Sequence, residues 1–260
     1  MLLAIDVGNT QTAVGVYAGH ELLHEWRIAT ERNATVDELA ARQDQLLRLR
    51  GASLGEIDDL MVGSVVPTLT AAYQDLADRY LENEALVLGP GVRTGISLRI
   101  DNPRELGADR LANAVAAYER FTTACIVVDF GTATTFDAIS TDGEYLGGVI
   151  APGLETSLEA LSSRAARLLK VDLVAPSRVI GKSTVECMQS GLIYGTVAQV
   201  DGVVTRMVDE LGGPVAIAAT GGLAELVVPL SDHPIEHLPQ LTLEGLRRVY
   251  ELNVPEGSAL

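Results

Sequence analysis

One short signature occurs twice in this chain, and each copy closes an apolar run. Asp6-Val-Gly-Asn-Thr-Gln-Thr12 follows Leu2 to Ile5, and Asp129-Phe-Gly-Thr-Ala-Thr-Thr135 follows Cys125 to Val128. Both copies read D-x-G-x-x-x-T. A short apolar run bounded in this way is a strand that delivers a carboxylate at its end; the glycine lets backbone approach a ligand, and hydroxyls follow. In each copy a further β-rich run comes next, Ala13 to Tyr17 or Phe136 to Ser140. A turn at Ala18-Gly19 or Asp142-Gly143 and a third strand complete the pattern. The repeated object is a β-meander that offers a phosphate-and-cation site once per half.

The segments after the two meanders are also alike. Residues 34–50 carry Val36, Leu39, Leu46 and Leu47 at helical spacing, with Thr35 placed as N-cap and Glu38 three residues on. A strand is predicted from Asp59 to Val66, a helix from Thr68 to Leu81, and a short strand from Leu86 to Leu88 before Gly89-Pro-Gly91. The second half offers a Gly147-Gly148 turn and helices from about Leu154 and about Ser183. A strand from Val215 to Ala219, the turn Thr220-Gly-Gly222 and another helix complete it. The expected fold is α/β, with two domains, 1–114 and 115–260, each a mixed sheet with flanking helices.

Composition narrows the ligands. Apolar residues make up 47% of the chain but aromatics only 4%, so the cores rest on Val, Leu, Ile and Ala. A net charge of −16 repels nucleic acid and anionic membrane surfaces, which removes both as expected partners. A polyanion must then be met locally, by backbone amides, a few basic residues and a metal ion. Cys125 lies in a strand and Cys187 in a helical pattern, without zinc spacing; both are expected to be buried thiols in a reducing compartment. The first apolar run is broken by Asp6 and has no basic leader, and no stretch has the length of a membrane span. The expectation is a soluble, cytoplasmic protein.

Two further segments invite a chemical reading. Gly107-Ala-Asp-Arg110 before the Ala-rich run Leu111 to Tyr118 reads as a helix start with Asp109 as cap, a place where an anionic substrate is also welcome. Gly181-Lys-Ser-Thr184 imitates a Walker A motif, but the required earlier glycine is Pro176, so the P-loop reading fails. Ser183 or Thr184 instead caps the next helix, whose Gly191 and Gly195 permit close packing, in a core or across a dimer.

The duplication resembles the acetate and sugar kinase, heat-shock and actin superfamily, in which two ribonuclease-H-like halves close on ATP. Thr220-Gly221-Gly222 resembles its adenosine turn. Within it the chain resembles type III pantothenate kinase over nearly its whole length. The segments that carry this are Asp6 to Thr10, Asp101-Asn-Pro103, Gly107 to Arg110, Val128 to Thr134, Ile180 to Thr184, Gln189-Ser-Gly191 and Leu241-Thr-Leu-Glu-Gly245.

The resemblance implies transfer of the γ-phosphoryl of ATP to the hydroxyl of pantothenate, the first step toward coenzyme A, by a homodimer. It implies magnesium on the nucleotide and a monovalent cation, potassium or ammonium. Residue by residue it implies Asp109 as general base and Asp6, Val7, Gly8, Asn9, Thr10, Gln11, Thr12, Ala13 and Thr132 at ATP. It further implies Ile100, Gly107, Ala108, Asp109, Arg110 and Thr184 at pantothenate, Asp129 on the monovalent cation and Asp6 on magnesium through water. Ile100 departs from the family, which often carries an aromatic residue there. The rival is a non-catalytic regulatory homologue of the same fold; it would erode Asp109 or the first hairpin, and both are intact.

Overall fold

Both meanders form, and each becomes the antiparallel side of a mixed sheet. The structure, a computed structural model, describes residues 1–164 and 171–254. In the first sheet β1 (Leu2–Val7), β2 (Gln11–Ala18) and β3 (Glu21–Ala29) make the meander; α1 (Val36–Arg48) leads to β4 (Asp59–Ser64), and α2 (Pro67–Leu76) to β5 (Leu86–Val87). The order is β3-β2-β1-β4-β5, with β4 and β5 parallel to β1. Central β1 is almost wholly buried, whereas edge strand β3 alternates between exposed and half-buried positions, as a half-solvated strand must.

After β6 (Ser97–Leu98) and α3 (Ala108–Phe121) the plan repeats. The second meander is β7 (Cys125–Phe130), β8 (Ala133–Ile139) and β9 (Glu144–Pro152), followed by α4 (Leu154–Arg164), α5 (Thr184–Leu211), β10 (Ala216–Thr220), α6 (Ala224–Val227), β11 (Glu236–His237) and α7 (Leu241–Asn253). Its sheet runs β11-β10-β7-β8-β9-β6, the first order repeated with β6 added at the edge.

The chain divides into two compact units. The second comprises Leu98–Ile100 and Ala117–Gln240; the first takes Met1–Ser97, Asp101–Ala116 and the segment from Leu241 onward. This corrects the expected boundaries of 1–114 and 115–260, because α7 returns to the first unit. There α1 and α2 cover one face of the sheet, with Leu39, Leu47, Leu69, Tyr73 and Leu76 packed on Leu3, Ile5 and Val62. The opposite face carries Gly15 and Gly63, and the side chains of Leu243 and Leu246 from α7 fill the space those glycines leave. The second core gathers Ile126, Val128 and Phe136 of the sheet with Leu158, Ile193, Val200 and Val227 of its helices.

Local signals explain the helix ends. Thr35 accepts from the Glu38 N–H at 3.3 Å while Glu38 accepts from the Thr35 N–H at 2.8 Å, which closes the capping box. The Thr35 N–H, joined by the Thr35 hydroxyl donating at 2.9 Å, holds the Glu38 carboxyl below its ordinary range. The helix expected to end at Leu81 is α-helical only to Leu76; Ala77–Leu81 form a π turn, closed by Glu82 in the left-handed region at φ 54°.

Candidate active site

In the first hairpin the Gly8 N–H donates to the Gln11 carbonyl at 3.0 Å, and Asn9 and Thr10 form its exposed tip. Thr30, just beyond β3, braces it: its hydroxyl donates to the Gly8 carbonyl at 2.9 Å and lies 2.9 Å from the Thr12 hydroxyl. The Thr30 N–H donates to the Thr10 carbonyl at 2.9 Å, and Arg32 donates to the Asn9 side chain at 2.9 Å. No sequence signal marked Thr30 and Arg32 as supports of this hairpin; they lie outside the repeat and gain their place through the β2–β3 pairing. Val7 and Thr12 are buried, so the accessible atoms of the hairpin come from Gly8, Asn9, Thr10 and Gln11. Asp6 is half-buried in mid-sheet, opposite Ala13 on β2 and Gly63 on β4.

The two copies differ in register. Val7 pairs with Thr12, leaving the four residues Gly8 to Gln11 in the loop; Phe130 pairs with Thr134, leaving only Gly131 to Ala133. The structural counterpart of Thr12 is therefore Thr134, and both are buried, at 2% and 1% exposure. Thr135, which the sequence repeat aligns with Thr12, lies opposite Asp129. Directly opposite residues of an antiparallel pair share a sheet face, so the Thr135 hydroxyl stands on the carboxylate's side. Two residues on, Asp137 is fully buried, and its carboxylate accepts from the Tyr145 hydroxyl at 2.5 Å and from Thr135 at 3.5 Å.

Asp129 is half-buried beside Thr220 on β10 and is walled by glycine. A Cβ on Gly221, whose φ is +91°, would lie 2.6 Å from Asp129 Oδ1 and equally close to the Phe130 N and O. Thr132 is exposed at the hairpin tip; its carbonyl accepts from the Gly153 N–H at 3.2 Å and the Thr156 hydroxyl at 2.7 Å. Next to the Thr220-Gly221-Gly222 turn, Leu223 and Leu226 help line a cavity of about 820 Å³ bordered by Glu155, Leu158, Glu159, Ser162, Val171, Asp172 and Leu173. That volume lies in the range of small-molecule pockets.

The Gly107-to-Arg110 segment opens α3, but Asp109 is not its cap. Gly107 holds that position, its carbonyl accepting the Leu111 N–H at 3.1 Å, and Asp109 lies in the first turn. The Asp109 carboxylate folds back to accept the Arg110 N–H at 2.8 Å, and a Cβ on Gly107 would stand 2.4 Å from its Oδ1. The structure joins this helix start to the first hairpin through the end of β4. The Val65 N–H donates to the Val7 carbonyl at 3.1 Å, and Val65 Cγ1 lies 3.6 Å from the Gly107 Cβ position. Gly63, paired with Asp6, places its own Cβ position 3.7 Å from Ala108 Cβ. Asp6, Gly107, Ala108 and Asp109 are thus gathered at one end of one sheet.

The remaining expected residues belong to the second unit. Ile100 is half-buried with its Cγ2 3.7 Å from the Gly147 Cβ position. Thr184 is the exposed first residue of α5, and Ser183 is the cap, accepting the Glu186 N–H at 3.2 Å. Cys125 is buried, which pushes its thiol up to about 12, but Cys187 is exposed, correcting the expectation of two buried thiols. In dilute native protein a thiol reagent at pH 8 is expected to modify Cys187 rapidly and Cys125 only on unfolding. Mass spectrometry of the modified peptides checks this, and rapid native labelling of Cys125 would contradict the burial. Among the described residues no helix is long and apolar enough to cross a membrane.

Comparison with known proteins agrees with the fold and extends it to function. The solved structure of a hexokinase of the ROK class from Thermus thermophilus superposes with a TM-score of 0.52 at 14% identity, covering 95% of this chain and 97% of that one. The ethanolamine utilization protein EutJ from Carboxydothermus hydrogenoformans gives a TM-score of 0.56 at 13% identity, covering 95% and 89%. At such identity the likeness speaks for the fold, two ribonuclease-H-like domains. Residues 2–206 match the family profile described as type III pantothenate kinase. A relative of that name from Moorella thermoacetica is 53% identical, over 97% of this chain and 100% of its own. The chain therefore belongs to the type III pantothenate kinase family, and its activity is the ATP-dependent phosphorylation of pantothenate in coenzyme A biosynthesis.

Proposed function

We propose that the phosphoryl group passes directly from ATP to the pantothenate hydroxyl, with Asp109 as general base. The observation that carries this is the gathering of Asp6 and the Asp109 carboxylate at one sheet end, the latter fixed by the Arg110 N–H and by the side-chain space Gly107 leaves. Phosphoryl transfer has a loose transition state, so the protein must chiefly align the reactants and neutralise charge. Gly8, Asn9, Thr10 and Gln11 supply amides and short polar side chains to the phosphates, with Val7, Thr12 and Ala13 as their frame and Thr132 as the contact from the second hairpin. Asp6 would hold the magnesium of the nucleotide, and that ion would supply neutralisation of charge on the phosphate oxygens. Arg110 pairs with the pantothenate carboxylate or a phosphate oxygen, and Ile100, Gly107, Ala108 and Thr184 line the acceptor.

Asp129 is assigned to a monovalent cation, potassium or ammonium. The residues suit such an ion: a half-buried carboxylate in a cradle that a Gly221 Cβ would fill. Homodimerisation belongs to the same reading, supported by the exposed apolar side chains Ile150, Val179, Ile180 and Val185 near Thr184 or on β9. So does residence in the cytoplasm. The regulatory alternative is not favoured, since full-length relatives at about half identity carry the kinase name.

A coupled assay of ADP release tests these assignments. Release is expected to require pantothenate and to fall sharply when potassium is replaced by sodium at equal ionic strength, and potassium, unlike sodium, is expected to raise the melting temperature. Release that ignores pantothenate would overturn the transfer reaction, and equal behaviour in the two salts would remove the cation from Asp129.

A further inference from the structure

The tightest approach among the glycines described lies far along the sequence from either hairpin. A Cβ on Gly245 of α7 would fall 1.9 Å from the Ala112 carbonyl oxygen and 2.5 Å from its carbon, both in the backbone of α3. No side chain can enter that space, so α7 crosses α3 backbone to backbone. The crossing is pinned beside it: the Thr242 hydroxyl donates to Asn113 Oδ1 at 2.7 Å, and Asn113 is fully buried. One residue on, Leu246 Cδ2 reaches within 2.8 Å of the Gly63 Cβ position. Gly63 is the residue paired with Asp6 and lies against Ala108.

Ala112 comes three residues after Asp109 and so lies one turn along the same side of α3. A helix is stiff over one turn, so a displacement forced at Ala112 is passed to the carboxylate at the helix start. At the start itself only glycine leaves room for the carboxylate, since a Cβ on Gly107 would stand 2.4 Å from Asp109 Oδ1. We infer that Gly245 is a positioning residue for the reaction: it lets α7 seat on Ala112 and thereby sets where α3 delivers the Asp109 carboxylate. This rests on the assignment of Asp109 as general base. It also gives a purpose to the Leu241-Thr-Leu-Glu-Gly245 segment, which has no place among the phosphate or acceptor contacts.

The test is a double-mutant cycle of Gly245→Ala with Asp109→Asn, read as kcat, KM for pantothenate, nucleotide affinity from a fluorescent ATP analogue, and melting temperature. Gly245→Ala is expected to lower kcat by about 100-fold, the scale of a displacement near 1 Å, while nucleotide affinity changes by less than about twofold. In the Asp109→Asn background the same change is expected to cost less than about threefold, because groups acting as one unit are not additive. A full loss in both backgrounds, or an unchanged kcat per folded molecule, overturns the inference. If Asp109→Asn alone turns over normally, the base assignment fails first and is recognised by that single variant. Should Gly245→Ala not fold, Thr242→Val takes its place: kcat is expected to fall about tenfold, with Thr242→Ser restoring it, as expected when one positioning hydrogen bond is lost. An unaffected Thr242→Val enzyme overturns the inference equally.

Discussion

Asp109→Asn is expected to lower turnover by about two to four orders of magnitude. The substitution is nearly isosteric, and the amide oxygen can still accept the Arg110 N–H that the carboxylate accepts at 2.8 Å. Gly107 continues to cap α3 through its bond from the Leu111 N–H. Helix and protein stability are thus retained, and the loss is confined to the ability to take the proton of the acceptor hydroxyl. Nucleotide affinity should stay near normal, because the phosphate contacts assigned to Gly8 to Gln11 lie on another element. Single-turnover measurement of phosphopantothenate formation separates the chemical step from product release. Turnover close to that of the parent would mean that the carboxylate serves only the first helical turn.

Gly221→Ala carries the second large effect, on stability and cation response together. At φ +91° an alanine is strained, and its Cβ would meet Asp129 Oδ1, Phe130 N and Phe130 O, all at 2.6 Å. The carboxylate could rotate aside, but the Phe130 backbone lies within the sheet and cannot yield cheaply. Strain and overpacking together predict a loss of about 3 kcal/mol in unfolding free energy. Displacement of Asp129 is expected to abolish the potassium-specific rise in melting temperature. Gly222→Ala is the control: nothing lies within 4 Å of its Cβ position, so its effect should stay within about 0.5 kcal/mol. Urea titration of the two variants in potassium and in sodium checks both parts, and equal behaviour of Gly221→Ala and Gly222→Ala would refute the steric account.

Much of the fold was legible because its signals are local. The two meanders, the Thr35–Glu38 capping box and the helix opening near Ala108 each depend on residues within a few positions of one another. The register of the hairpins was not legible in the same way. D-x-G-x-x-x-T counts residues along the chain, whereas pairing depends on how many of them the loop consumes, four from Gly8 to Gln11 but three from Gly131 to Ala133. That difference exchanges the buried hydroxyl of Thr12 for that of Thr134 and turns Thr135 toward Asp129. Cys187 misled for a related reason: helical spacing shows that a residue lies on a helix, not that its side faces a core. The destination of α7 was hidden too, since the amphipathic stripe of Leu243, Leu246 and Val249 states that a core will be covered without saying which.

The return of α7 also dictates the order in which the molecule can be finished during synthesis. A ribosome has completed residues 117–240 before Leu241 leaves it, so the second unit has its whole sequence available while the first still lacks a helix. Through that interval the sheet face bearing Gly15 and Gly63 waits for Leu243 and Leu246. The unit begun first is completed last, and a nascent chain stalled before Leu241 leaves an apolar face open to chaperones and to other chains.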